Sequence, residues 1–172
     1  TVLPTDGELR VNGVAVTPGS PADAARAGIA TVFQEQGLIS NLHVFENMLL
    51  GREAGFSRAG ILGRSAMVGL ARDVLSELGI AIDPLAVTGE LAFGERQLVE
   101  IAKAFALGRI YPVEPIVLLD EPTSALSDKE TQILFNSIRR WREKASIILV
   151  SHRLSEDRKS TRLNSSHRCI SY

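Results

Sequence analysis

Ile116-Val117-Leu118-Leu119-Asp120-Glu121-Pro122-Thr123-Ser124-Ala125-Leu126 is followed, after a helix-length stretch, by Ile147-Ile148-Leu149-Val150-Ser151-His152. Each aliphatic run reads as a buried strand. The first ends in two carboxylates and the second in a histidine. Between them, Ser127-x-x-Glu130 forms a capping box for a helix predicted from Asp128 to about Lys144. A strand, a helix and a second strand in this order predict a parallel pair whose C-terminal ends share one crevice, where such sheets bind ligands. Two adjacent acids at that place suit nucleotide chemistry. One carboxylate can hold Mg²⁺ and the other can orient or deprotonate a water.

Working outward toward the N-terminus, Glu8-Leu9-Arg10-Val11 and Val14-Ala15-Val16-Thr17 alternate apolar and polar residues around Asn12-Gly13. That pattern predicts a hairpin with a type I′ turn. Ser20-Pro21 predicts a helix start, with Ser20 as N-cap, and Gly28 its stop. Ile29–Phe33 reads as a buried strand that delivers Gln34 to its end. From about Leu38 to Gly89 the chain reads as mostly helical, and Met67, Ala71, Val74 and Leu78 fall on one apolar face. Leu91-Ala92-Phe93-Gly94-Glu95-Arg96-Gln97 then precedes a further helix.

In this order and spacing, these segments resemble the ATPase domain of ABC transporters, from about Gly7 to Ser155. Asp120-Glu121 looks like the Walker B pair, Ser124-Ala125-Leu126-Ser127 like the D-loop and His152 like the switch histidine. Gln34 looks like the Q-loop glutamine, and Leu91–Gln97 like the signature loop. Asn41–Glu53 and Val99–Ala104 resemble the version in ATPases that power monosaccharide import. The family usually has Asp at the position of Ser127, Ser at that of Ala92 and Gly at that of Phe93. The fold implied is α/β: a partial P-loop NTPase-type domain over 1–156, with a largely parallel sheet, a small antiparallel part and an inserted helical subdomain over about 38–100.

The resemblance also implies roles. Glu121 is the expected carboxylate for the attacking water, with His152 and Gln34 as further catalytic groups. Asp120 and Gln34 are the expected Mg²⁺ partners, through water. Ala92, Phe93, Gly94, Glu95 and Ser124 are expected to face ATP held by a second ATPase domain, since a helix N-terminus binds phosphate. ATP and Mg²⁺ are the implied cofactors. The implied partners are a second ATPase domain of the same full-length chain, permease subunits and, indirectly, an external sugar-binding protein. The implied location is the cytoplasmic face of the membrane. A non-transport ABC ATPase in translation or DNA repair is one alternative. A regulatory half without catalysis, supported by Ala92, is the other.

Single residues outside these motifs read more plainly. Among three arginines, Trp141 is read as partly buried core rather than as a cation–π or nucleic-acid contact. Without a motif around it, His43 is read as a helix or loop residue.

No Gly-x-x-x-x-Gly-Lys-Ser/Thr occurs in the 172 residues. That loop is the phosphate cradle of P-loop ATPases, so the chain is expected to be a fragment and inactive in ATP hydrolysis by itself. Asp157-Arg158-Lys159-Ser160-Thr161-Arg162-Leu163-Asn164-Ser165-Ser166-His167 resembles a translated sequencing adapter. Residues 157–172 are therefore expected to be non-native and disordered. They hold four of the 19 basic residues and one of the 20 acidic ones, leaving a net charge of −4 on 1–156. Nothing in that balance favours nucleic acid or a membrane surface. The single cysteine, Cys169, also falls in this tail, so 1–156 holds no disulfide and no cysteine metal site.

Overall fold

A computed structural model describes residues 7–33, 37–58, 61–124, 126–150 and the backbone of 169–170. The hairpin forms as the sequence predicts. Strands β1 (Leu9–Val11) and β2 (Val14–Val16) pair antiparallel, with Val11 opposite Val14. Asn12 and Gly13 both have positive φ, +50° and +80°, as a type I′ turn requires. Helix α1 (Pro21–Arg26) starts where Ser20 Oγ accepts from Asp23 N–H at 3.2 Å. It ends just before Gly28, whose φ is +83°. A Cβ at Gly28 would also stand 3.0 Å from Val113 and 3.1 Å from the Glu114 carbonyl oxygen.

Three parallel strands form the frame of the main sheet: β3 (Ile29–Val32), β6 (Ile116–Asp120) and β7 (Ser146–Val150). β6 lies in the middle, with Val32 opposite Leu119 and Asp120 opposite Val150. Parallel strands were expected to be buried on both faces. Instead alternate residues are buried: Val117 and Leu119 are fully enclosed, while Ile116 and Leu118 are half-buried. In β3 only Val32 is buried, and Phe33 beyond it is 64% exposed. The reason is that the helices pack on one face of the sheet. The other face lines a cleft of about 730 Å³ bounded by Val11, Ile29, Leu118 and Ile148, among others.

The long connection from β3 to β6 holds α2 (Val44–Leu49), α3 (Arg64–Leu78), α4 (Phe93–Phe105) and α5 (Leu107–Ile110). Met67, Ala71, Val74 and Leu78 are all buried, so the predicted apolar face of α3 is its packing face. The block is less helical than expected. A 3₁₀ turn (Glu53–Phe56) and a small antiparallel pair, β4 (Ser57–Arg58) with β5 (Ile61–Leu62), stand between α2 and α3. Such short pairs depend on tertiary support and leave little periodic signal.

Helix α6 (Asp128–Trp141) joins β6 to β7 and ends a turn earlier than predicted. Its capping box is present: Ser127 N–H donates to Glu130 Oε2 at 2.8 Å. Ser137 Oγ donates to the Leu78 carbonyl at 2.6 Å, which satisfies one orphan acceptor at the end of α3. Trp141 is core, as expected. It is 3% exposed, and its ring centroid lies 4.9 Å from that of Phe105. Burial of a side chain of this size contributes roughly 1.5–3 kcal/mol or more.

Cys169–Ile170 forms a two-residue strand, β8, parallel to β7, with Leu149 opposite Cys169. The open edge of β7 presents unpaired backbone groups, and such an edge pairs with whatever chain reaches it. The remainder of the expected disordered tail lies outside the described residues.

Candidate functional site

The parallel sheet brings the ends of β6 and β7 together. Asp120 closes β6 opposite Val150, and its side chain is exposed. The next residue leaves the ladder. Glu121 has φ +46°, in the left-handed region that non-glycine residues rarely adopt. Two features hold it there. Its N–H donates to the Val150 carbonyl at 2.9 Å, and its carbonyl accepts from Ser124 N–H at 3.1 Å in the turn that follows. Pro122 disfavours right-handed helical geometry at the residue before it. The reversal aims the two adjacent carboxylates differently. Asp120 faces solvent, whereas one carboxylate oxygen of Glu121 is enclosed. Ser124 is exposed on the outside of the same turn.

The second cluster is the first turn of α4. Ala92 is its N-cap and brings no side-chain hydrogen bond. Glu95 Oε2 accepts from Ala92 N–H at 2.9 Å, so half of a capping box remains. Phe93 is 46% exposed, with the Arg96 guanidinium 5.8 Å from its ring centroid. Gly94 is buried, and a Cβ placed on it would meet the Glu130 carboxylate, the movable end of that side chain. Glu130 is also the capping residue of α6. It therefore links the Leu91–Gln97 turn to the Ser124–Ser127 segment, a contact that local pattern gives no means of finding.

Two expected site residues, Gln34 and His152, lie outside the described residues. Their neighbours are described. Gln34 follows Phe33 at the end of β3, and His152 is two positions beyond Val150 at the end of β7. Among the missed residues, Val150 acts through its backbone carbonyl, which no side-chain motif encodes. Glu100, on α4, accepts from Gly37 N–H at 2.8 Å, just past the 34–36 segment.

The chain matches the ABC transporter family over residues 1–124. It belongs to that family. Its ABC relatives include the arabinose import ATP-binding protein AraG of Rhizobium meliloti, 44% identical over 87% of this chain and 28% of that protein. The ribose import ATP-binding protein RbsA 1 of Rubrobacter xylanophilus is 41% identical over 89% of this chain and 30% of its own length. A putative ribose/galactose/methyl galactoside import ATP-binding protein of Agrobacterium fabrum is 44% identical over the same shares. The chain thus spans less than a third of these relatives.

Solved ABC cassettes share the fold. The dimeric structure of a bacterial ABC transporter cassette superposes with a TM-score of 0.72 at 23% identity, covering 98% of this chain and 69% of that one. A dimeric cassette in a post-hydrolysis state with ADP and Pi gives a TM-score of 0.68 at 23% identity, covering 88% and 65%. The α/β class, the parallel sheet and the small antiparallel part expected of an ABC cassette are therefore present in this chain. Among the described residues, no helix is long and apolar enough to cross a membrane.

Proposed function

We propose that this chain is part of an ATPase that binds and hydrolyses ATP to drive monosaccharide import through a membrane permease. The observation that carries the chemistry is the Glu121 turn. It holds a partly enclosed carboxylate at the C-terminal edge of a parallel sheet, next to the exposed carboxylate of Asp120. The relatives' names support the substrate class, since they are arabinose and ribose import ATP-binding proteins.

In this proposal Glu121 polarises the attacking water, and Gln34 and His152 complete the site. Asp120 offers a hard oxygen donor at a solvent-facing strand end, which suits a hydrated Mg²⁺. Mg²⁺ held there would neutralise charge on the phosphates. Ala92–Glu95 and Ser124 face the ATP of a second ATPase domain in the same whole protein, because the first turn of α4 presents backbone N–H groups. Permease subunits hold the assembly at the cytoplasmic face of the membrane, fed by an external sugar-binding protein.

The test is reconstitution of the whole protein with its permease in vesicles. ATP-dependent uptake of a labelled pentose or hexose supports the proposal. ATP hydrolysis without uptake of any monosaccharide in the panel would overturn the import reading.

Ala92 favours a second reading, in which this domain regulates a catalytic partner. A missing hydroxyl at the N-cap removes a charge-assisted hydrogen bond of about 1.5–3 kcal/mol from the phosphate that α4 faces. Under the regulatory reading Ala92→Ser leaves turnover unchanged, whereas under the catalytic reading it raises turnover.

A further inference from the structure

Glu100 lies two turns along α4 from Ala92–Gly94, and it is 9% exposed. A carboxylate is taken out of water at little cost only where donors replace the water. Two groups do so here. Gly37 N–H donates to Oε1 at 2.8 Å, and the Lys103 ammonium stands 3.7 Å from Oε2. Gly37 is the first described residue after 34–36. Two residues further on, Ile39 is held by Asn47 of α2. Its N–H donates to Asn47 Oδ1 at 2.8 Å, and its carbonyl accepts from Asn47 Nδ2 at 2.9 Å. The segment that leaves Gln34 is thus clamped to the helical block at two points, and the point nearer Gln34 is Glu100. On the other side of Gln34, β3 belongs to the sheet. A cleft of about 420 Å³ lined by Phe33, Gly37, Glu100 and Lys103 lies at this joint.

We propose that Glu100 is a positioning residue for the nucleotide chemistry, a role that rests on the proposed reading of Gln34 and of the Ala92–Gly94 turn. Helix α4 is a single rod of 13 residues. Glu100 holds the exit of the Gln34 segment on its middle, and Ala92–Gly94 sit at its start. A displacement of Gly37 is delivered through its bond to Glu100, to α4 and so to the first turn of that helix. Lys103 holds the second oxygen and keeps the first aimed at Gly37. The geometric requirement is an acceptor of this length; the charge is secondary.

That distinction sets the experiment. In the whole protein, Glu100→Gln keeps an oxygen at the same reach and loses the charge. Glu100→Asp keeps the charge and falls one methylene short. Glu100→Asp is expected to lower kcat about tenfold, with the KM for ATP nearly unchanged, while Glu100→Gln stays within about twofold of wild type. Hydrogen exchange reads the same coupling without turnover. With ATP bound in a Glu121→Gln background, peptides covering 34–39 and 92–98 gain protection together. With Glu100→Asp added, the 92–98 peptide no longer follows. Wild-type kcat in Glu100→Asp, or an equal loss in Glu100→Gln, overturns the positioning role. So does unaltered joint protection in the exchange experiment. A wild-type protein that binds ATP without hydrolysing it sinks the proposed function instead, and the exchange experiment still judges Glu100.

Discussion

The Glu121 N–H donates to the Val150 carbonyl at 2.9 Å while Glu121 itself is left-handed, at φ +46°. The last carbonyl of one strand thereby fixes the reversal that ends its neighbour. The carboxylate proposed to polarise water depends for its direction on a residue 29 positions away, through a backbone atom.

Glu121→Gln is expected to reduce ATP turnover of the whole protein by roughly 10²–10⁴-fold, the usual contribution of a positioned general base. The amide keeps the shape and the backbone turn, so ATP affinity is expected to stay within about twofold. Phosphate release and equilibrium nucleotide binding on the same preparation check this. Wild-type turnover in the variant would show that another group handles the water.

Glu121→Gly separates strain from chemistry. A left-handed non-glycine residue costs about 1–2 kcal/mol, and a glycine adds about 0.5–1 kcal/mol of unfolded-state entropy. The first effect is the larger, so the variant is expected to be more stable by up to about 1 kcal/mol while losing turnover. Urea unfolding midpoints measure the change. A destabilisation greater than 1 kcal/mol would mean that Glu121 side-chain contacts outweigh its backbone strain.

Gly94→Ala drives a methyl group into the Glu130 carboxylate. That carboxylate is the far end of a flexible side chain, so it moves aside and gives up its bond to Ser127 N–H, at about 0.5–1.5 kcal/mol. Glu130→Ala alone loses the same bond, the side-chain half of the α6 capping box, while Ser127 remains the N-cap. In the double variant the clash is gone, so the two losses are expected to be less than additive by 0.5 kcal/mol or more on a double-mutant cycle. Strict additivity would show that Gly94 serves phosphate approach alone.

Acid is expected to loosen the start of α2. Glu46 accepts from His43 N–H at 2.8 Å and also faces the His43 ring and Arg64. The His43 backbone hydrogen bond is the largest cause that holds its carboxyl below the usual value. A lowered native pKa stabilises the fold above the unfolded value, near about 4.3, and that stability is lost as pH falls through the native value. Unfolding midpoints taken from pH 6 downward are expected to fall less steeply in Glu46→Gln below about pH 4.3. Parallel curves for the two proteins would remove Glu46 from the acid response.

Local chemistry made much of this chain legible before its coordinates. Asn12-Gly13 takes positive φ at both residues, Ser20-Pro21 starts a helix, and Ser127 with Glu130 caps another, because each uses groups at most three residues apart. The period of Met67, Ala71, Val74 and Leu78 marked a packing face, since one stripe of a helix meets the core. The order of motifs around Asp120-Glu121 pointed to the family that the match over residues 1–124 shows. The tertiary structure decided what spacing does not encode. It placed Val150 against Glu121, Glu130 on Gly94, and Glu100 under Gly37, across 29, 36 and 63 residues respectively. It also left alternate residues of β6, and every residue of β3 but Val32, outside the core where their composition read as buried throughout. Burial is a property of what packs on a face, and distant hydrogen bonds are chosen by the fold that brings their atoms within reach.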